Sequence, residues 1–346
     1  MEIRKLNALR GLAALIIVVS HYSNESGLWH ATLGSGAGQL GVMQFFLLSG
    51  FLMAYLYLDT PPTPQNIKAF ATARIARVIP LFLAAVFGTY FLSLIFPGSA
   101  HRYFFDINSI PWLISHLFLL AGNDVLWTIP VELHFYILFA VAWFLRPYLG
   151  AWLYLIAAAL VALRFAVGFD EVTRTVFGLT VREKTTMSFD YFVLGVSFGQ
   201  LYRRWQPKFT SHYCVLALLV ILLLYPVILK QITGMAHGMW EDYRVLVLLG
   251  FAFFTVVFFV PKDNVILENK VGDFTGRVSY SIYLLHFPIL RLYKEFGLAS
   301  GWPGLACFVL SVLGVAQLSY MFLEFPARKA IREKLSLNRA NVCCAY

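Results

Sequence analysis

The first apolar run of the sequence contains two ionisable residues, Arg10 and His21, eleven positions apart. At about 100° and 1.5 Å per residue, this spacing returns both side chains to nearly the same helix face, about 16 Å apart along the axis. Histidine is well suited to take a proton from a hydroxyl group near neutral pH. The two residues on one helix face therefore predict a path along this helix by which a donor could reach across the membrane. Alternatively, Arg10 is a snorkelling anchor and His21 is a hydrogen-bonded packing residue.

Two further ionisable residues, Glu132 and His286, fall inside later apolar runs. Each needs a partner, because an ionisable side chain inside a bilayer costs several kcal/mol. From its depth we expect Glu132 to lie beside His21 and to orient the imidazole. His286 would be a second histidine within the membrane, near Pro288, which loosens its helix. The structural alternatives are an interhelical ion pair for Glu132 and a core histidine for His286.

A basic segment before the third apolar run contains Arg74 and Arg77. Their three-residue spacing places both guanidinium groups on one face at a helix entrance. Arginine binds phosphate through charge-assisted, bidentate hydrogen bonds, so the pair predicts a site for the phosphates of a donor such as CoA. The alternative is that both residues only anchor the helix at the cytoplasmic surface.

The composition indicates that these residues are positioned by helices in a membrane. The 346-residue sequence is 60% hydrophobic and only 13% charged, with a mean hydropathy of +0.72, whereas soluble proteins carry roughly 25% charged residues. This length accommodates on the order of ten helices and leaves no room for a separate soluble domain. The net charge of +9 is distributed in small groups between apolar runs, so no nucleic-acid partner is expected.

The four cysteines show neither metal-ligand spacing nor the pattern of a disulfide framework. We therefore expect no metal. The first apolar run lacks a convincing small-residue cleavage site, and we interpret it as a retained span rather than a signal peptide.

The distribution of apolar runs predicts an all-α fold, a polytopic integral membrane helical bundle with about ten transmembrane helices. A shorter run at 111–122 is interpreted as interfacial or re-entrant. If it does not cross, the excess of lysine and arginine in cytoplasmic loops places both termini in the cytoplasm. The predicted spans lie at about 7–23, 40–58, 78–96, 127–145, 149–168, 188–202, 212–229, 244–260, 278–293 and 303–323.

Six segments in this order resemble the acyltransferase-3 family of membrane O-acyltransferases, which modify bacterial surface polysaccharides, lipopolysaccharide and peptidoglycan. The resemblance covers nearly the whole chain and assigns 1–335 to the transmembrane domain and 336–346 to a short cytoplasmic tail. Two positions depart from the family pattern: Asn7 stands where Asp is frequent, and Met43-Gln44 where an acidic residue is common. The six segments are Asn7–Leu15 with His21, Phe45–Phe51, Arg74–Arg77, Leu126–Tyr136, Ser279–Pro288 and Phe322–Pro326.

The resemblance implies an O-acetyltransferase-type enzyme of the inner membrane. Its donor would be cytoplasmic acyl-CoA, most often acetyl-CoA, and its acceptor a hydroxyl on an extracytoplasmic carbohydrate or lipid-linked glycan. Arg10 or His286 could stabilise charge on the thioester oxygen, and both direct transfer and an acyl-histidine intermediate at His21 remain open. The residues carried over are His21, Glu132, Arg10 and His286 for catalysis, and Arg74 and Arg77 for binding acyl-CoA.

Other functions remain open at this point. Many relatives also carry an extracytoplasmic esterase-like domain that is not recognised here, so we expect the membrane domain to reach the acceptor itself or a separate extracytoplasmic partner to complete the transfer. The main alternative is a secondary transporter of a glycan or small metabolite, since intramembrane His, Glu and Arg also form substrate and proton sites. No internal repeat supports that alternative. A receptor or scaffold without chemistry ranks last.

Overall fold

The structure is a computed structural model that describes residues 3–97, 104–167, 180–234 and 239–335. Every regular element in these ranges is a helix, which agrees with the predicted all-α class. The predicted cytoplasmic tail, 336–346, lies outside the described residues. The boundary at residue 335 therefore stays a prediction.

The helices are numbered in chain order. The first seven are α1 (Arg4–Ser26), α2 (His30–Leu33), α3 (Gly38–Tyr57), α4 (Pro64–Ile95), α5 (Ile110–Leu117), α6 (Thr128–Leu149) and α7 (Trp152–Val167). The remaining ones are α8 (Thr180–Arg204), α9 (Val220–Leu223), α10 (Pro226–Thr233), α11 (Tyr243–Phe259), α12 (Lys270–Arg277), α13 (Ser279–Glu295), α14 (Gly301–Ser319) and α15 (Phe325–Lys334). Short 3₁₀ helices, Asp124–Trp127 and His212–Leu219, precede α6 and α9, and a π-helical turn, Tyr320–Glu324, joins α14 to α15.

Several helices are long and apolar enough to cross a membrane, so the chain is a multi-pass membrane protein. In the described part of the chain five stretches meet this requirement, or six if one bent pair counts as a span. Two shorter apolar helices are Trp152–Phe165 and Tyr243–Phe259. The count of ten and the cytoplasmic placement of the termini stay predictions. The five stretches are Arg4–Ser26, His30–Tyr57, Pro64–Ile95, Asp124–Leu149 and Gly301–Lys334.

The span predicted at 212–229 is not one straight helix. His212–Leu223 is followed by Pro226–Ile232 at an angle of 81°. Pro226 lacks an N–H and its ring clashes with the preceding turn, so the first helix ends before it. The run at 111–122 overlaps α5, whose eight residues are far fewer than the roughly 20 needed to cross a bilayer.

Helix α1 is held between α3, α12 and α13, and this packing positions the ionisable stripe. The backbones of α1 and α12 approach so closely that a Cβ on Gly276 would overlap the backbone of Asn7. Glycine is required there because any larger side chain would push the two helices apart. One face of α1 is thereby fixed against the start of α13.

Candidate active site

His21 on α1 and His286 on α13 contact each other directly. Nδ1 of His21 lies 2.8 Å from Nε2 of His286, and the ring centroids are 5.0 Å apart. His286 is fully buried, and its Nδ1 lies 2.6 Å from the backbone oxygen of Tyr283. The sequence predicted two histidines within the membrane but not that they meet.

Glu132 on α6 lies against Ser49 and Tyr136 rather than against His21. The Ser49 hydroxyl donates to the Glu132 carboxylate at 3.1 Å, and the Tyr136 phenol donates to the same oxygen. A partly buried carboxylate is stabilised by such donors, and the residue four positions along its own helix supplies one of them. The expected contact between Glu132 and His21 is therefore not formed in the described structure, where His21 pairs with His286.

A cavity of about 390 Å³ lies beside the N-terminal part of α1, with walls from α3, α4, α12, α13 and α15. Seven arginines line it, and the only carboxylates among its lining residues are Asp273 and Glu324. This excess of positive charge suits a ligand with several phosphate groups. We call it the basic cavity. Its arginines are Arg4, Arg10, Arg74, Arg77, Arg277, Arg328 and Arg332.

Arg74 and Arg77 both line the basic cavity, as their spacing on α4 predicted, but their surroundings differ. The Arg74 guanidinium is enclosed by the rings of Tyr57, Phe70 and Tyr136, with ring centroids 5.6 to 5.9 Å away. Such cation–π contacts stabilise a cation away from water. Arg77 has no such ring cage among the described residues and is more accessible to a ligand.

No hydrogen bond or ion pair from the described residues reaches the guanidinium group of Arg10 or of Arg77, the two arginines shared by both cavities. Arg10 is only 6% exposed. An unpaired buried charge is costly, so it indicates a place for an anionic or strongly polar ligand atom.

A smaller cavity of about 50 Å³ continues inward from the basic cavity, and we call it the inner cavity. Both cavities share Arg10, Arg77, Ser279 and Tyr280 as walls. The additional walls of the inner cavity include Glu132 and aromatic rings. The two arginines therefore lie at the junction, and Glu132 lies beyond them.

The histidine pair lines neither cavity and lies behind Tyr283. The Tyr283 ring is a wall of the inner cavity, and its centroid is 6.1 Å from that of the His286 ring. The Tyr283 hydroxyl donates to the Val125 carbonyl at 2.7 Å and accepts from Thr128 at 3.0 Å. This ring therefore separates the inner cavity from His21 and His286.

Sequence reasoning did not identify Glu324 and Arg328 as residues of the basic cavity. Glu324 is 2% exposed, accepts a hydrogen bond from Ser281, and lies 3.9 Å from Arg328. It ends the π-helical turn, a distortion that is frequent at functional sites. The sequence feature that could have identified Glu324 is the segment Phe322–Pro326, which resembles a family motif and contains this glutamate.

Asp273, on the short helix α12, lies at the rim of the basic cavity. Arg4 donates to its carboxylate through Nη2 at 2.5 Å and through Nε at 3.1 Å. These hydrogen bonds hold the pKa of Asp273 below its ordinary value. Asp273 is therefore charged near neutral pH and fixes the orientation of Arg4.

The described residues contain no group of three His, Cys, Asp or Glu side chains placed to hold a metal ion. Cys214 and Cys307 are unpaired thiols, whereas Cys343 and Cys344 lie outside the described residues. The expectation that the protein uses no metal stays a prediction.

Comparison with known proteins identifies the family of this chain. A family described as an acyltransferase domain matches residues 3–321. A Staphylococcus aureus (strain COL) protein named as a candidate O-acetyltransferase is 27% identical, and O-acetyltransferase OatA of S. aureus (strain NCTC 8325) is 24% identical. Both alignments cover 94% of this chain but only 57% of the relative. No solved structure matches the chain. The family match spans most of the sequence, and the chain therefore belongs to the acyltransferase-3 family.

Proposed function

We propose that this protein is a membrane O-acetyltransferase that transfers an acetyl group from cytoplasmic acetyl-CoA to a hydroxyl of an extracytoplasmic glycan. Membership of the acyltransferase-3 family and the names of the relatives support acyl transfer. The observation that carries the proposal is the shared wall of the two cavities, formed by Arg10, Arg77, Ser279 and Tyr280. An arginine-rich space thereby continues inward toward the polar residues within the membrane.

The basic cavity is the proposed donor site. CoA carries a pyrophosphate and a ribose phosphate, and seven arginines against two carboxylates match that charge. Arg77 and Arg10 are free to bind phosphate or thioester oxygen, because the described residues give them no competing hydrogen bonds. Arg74 is held by its aromatic cage and contributes positive charge from a fixed position.

The proposed orientation places the basic cavity at the cytoplasmic face of the inner membrane. Arg4, Arg74 and Arg332 all line this one cavity, and arginine is enriched on the cytoplasmic side of membrane proteins. His21 lies toward the other end of α1 and therefore toward the acceptor side. The proposal includes the predicted ten spans and cytoplasmic termini.

The proposed chemistry is direct transfer with His21 as general base. His21 takes the hydroxyl proton while the acceptor oxygen bonds to the thioester carbon. The carbon–sulfur bond then breaks, and the CoA thiolate leaves with the proton that His21 held. A positioned base contributes on the order of 10²- to 10⁴-fold to such a reaction. In the competing route the histidine nitrogen itself would carry the acetyl group.

The test is transfer of radiolabelled acetyl from acetyl-CoA into envelope glycans by membranes containing equal amounts of each variant. Wild type and Arg204→Gln, a change outside both cavities, should transfer label equally. His21→Ala should transfer none above background. Equal labelling by His21→Ala would remove His21 from the mechanism. Absence of label in wild type, with acetyl-, butyryl- and longer acyl-CoA donors, would overturn the proposed function.

A further inference from the structure

We infer that His286 is a positioning residue that fixes which nitrogen of His21 carries the proton. His286 accepts the Nδ1 proton of His21 and leaves the Nε2 lone pair of His21 directed at substrate. The inference rests on the proposed function for the acyl-transfer step. The protonation pattern itself follows from hydrogen bonding alone.

The backbone partners of His286 determine which of its ring nitrogens carries the proton. Its Nδ1 lies 2.6 Å from the backbone oxygen of Tyr283 and 3.2 Å from that of Ile282. A carbonyl oxygen can only accept, so Nδ1 of His286 carries a proton. His286 is fully buried, and in a membrane interior the neutral ring is strongly favoured over the cation. Its Nε2 is therefore unprotonated.

The protonation of His21 follows from that of His286. Nε2 of His286 can only accept, and Nδ1 of His21 lies 2.8 Å away. The proton in that hydrogen bond must belong to Nδ1 of His21. With Nδ1 protonated, neutral His21 has a lone pair at Nε2. The opposite arrangement would place two lone pairs against each other inside the protein.

Burial distinguishes the roles of the two histidines. His21 is half-buried and contacts the Phe287 ring, with centroids 5.9 Å apart, whereas His286 has no exposed surface. Only His21 is accessible to a substrate hydroxyl. The earlier expectation that His286 stabilises the thioester oxygen conflicts with this geometry, because both of its ring nitrogens are hydrogen-bonded within the protein.

The surrounding charges leave this hydrogen-bond chain undisturbed. Glu25 is one turn beyond His21 on α1, and its carboxylate pairs with Lys294 at 2.6 Å. Arg291, the basic residue nearest His286 along α13, pairs with Asp124 at 3.0 Å. These groups therefore have their own partners and do not replace His286 beside His21.

The pairing assists the reaction without any net proton uptake by His286. When the acceptor proton reaches Nε2 of His21, the His21 ring becomes positively charged. Its Nδ1–H bond to His286 then becomes a charge-assisted bond, which is about twice as strong as a neutral one. The proton returns from Nε2 to the departing CoA thiolate, and the original pattern is restored.

The first experiment compares two replacements of His286 in membranes of matched protein content. His286→Leu removes the acceptor and should lower kcat on the order of 10²- to 10⁴-fold, since Nε2 of His21 is then no longer held unprotonated as the base, with KM for acetyl-CoA nearly unchanged. His286→Gln offers an amide oxygen to His21 and should recover part of the loss in kcat. The matched control is Tyr293→Phe on the same helix, which loses only a bond to Ser311 and should retain wild-type kcat. Wild-type kcat in His286→Leu would overturn the inference.

The second experiment reads the proton directly and needs no acyl transfer. Nitrogen-15 NMR of histidine-labelled protein reports whether each ring nitrogen is protonated, and comparison with His21→Gln assigns the His21 signals among the eight histidines. We expect Nδ1 of His21 to be protonated and Nε2 unprotonated at neutral pH. The reverse pattern would overturn the inference. A transferase-inactive wild type that showed the expected pattern would contradict the proposed function and leave this pairing intact.

Discussion

The phenol of Tyr136 donates a hydrogen bond to Glu132, and its ring centroid lies 5.8 Å from the guanidinium carbon of Arg74. One side chain thus connects an arginine of the basic cavity to the carboxylate of the inner cavity. Arg74 is 5% exposed and is stabilised by rings rather than by water. The binding role predicted for Arg74 and the catalytic role predicted for Glu132 are therefore structurally coupled.

The first prediction concerns this connection. Tyr136→Phe keeps the ring that faces Arg74 but removes the hydrogen bond to Glu132. A bond to a charged group contributes about 1.5 to 3 kcal/mol, which corresponds to roughly tenfold to a hundredfold in rate if Glu132 must be held in place. We expect kcat to fall by that factor. Steady-state acetyl transfer measures it, with Tyr148→Phe, an exposed tyrosine on the same helix, as control. An unchanged kcat would show that the hydrogen bond is only structural.

A second prediction concerns the unpaired guanidinium group of Arg10. Arg10 should support activity but lower stability, because a buried charge without a partner costs free energy in the ligand-free protein. We expect Arg10→Met to raise the unfolding temperature of the ligand-free protein and to abolish acetyl transfer. Thermal unfolding in detergent and the transfer assay measure the two effects. A variant that unfolds at lower temperature while retaining transfer would contradict the proposed role.

The third prediction tests the donor site by ligand binding. A ligand that binds only the folded state stabilises it by about 2.7 kcal/mol at a hundred times its Kd. We expect CoA to raise the unfolding temperature of the wild type and to do so much less for Arg77→Gln. Arg204→Gln lies outside the cavities and should respond as wild type does. Equal shifts in all three proteins would place the CoA site elsewhere.

The helices and their ionisable stripes were predictable from the sequence because helical periodicity is local. Arg10 and His21 both face α13, as their spacing indicated: Arg10 shares cavity walls with Tyr280, and His21 pairs with His286. Arg74 and Arg77 likewise line one cavity. These inferences required only the rotation per residue along a single helix.

Partners of the polar side chains could not be predicted in the same way. His21 and His286 are 265 positions apart, and depth in the membrane alone made Glu132 an equally good partner for His21. The choice depends on how α1, α3, α6 and α13 are arranged, which hydropathy does not encode. The bend at Pro226 was visible as a proline, but its 81° angle depends on tertiary packing.

A fourth prediction concerns the packing of α3 against α8, which holds Ser49 next to Glu132. A Cβ on Gly195 would overlap the backbone oxygen of Leu47. Gly195→Ala must therefore separate the helices, and overpacking of this kind costs about 1 to 3 kcal/mol. We expect a lower unfolding temperature and reduced transfer. Gly88→Ala is the matched control, because a Cβ there meets nothing within 4 Å. Equal stability of the two variants would contradict this account of the interface.

The last prediction is a pH dependence at the rim of the basic cavity. Arg4 lowers the pKa of Asp273 in the folded protein relative to the unfolded chain. The resulting stabilisation is complete above the ordinary carboxyl pKa and is lost as pH falls through the lowered one. Because the Arg4 and Asp273 side chains are 42% and 31% exposed, we expect only about 0.2 to 1 kcal/mol, weakened by salt.

Asp273→Asn should therefore be less stable than wild type at neutral pH, and the difference should shrink as the pH is lowered through the carboxyl range. Thermal unfolding of both proteins in detergent across that range measures the difference. Glu333→Gln, a change at a largely exposed carboxylate, is the control and should follow wild type. If the difference between Asp273→Asn and wild type instead grew toward acid, the lowered pKa would not be the source of the stabilisation. Asp273 would then only orient the Arg4 side chain.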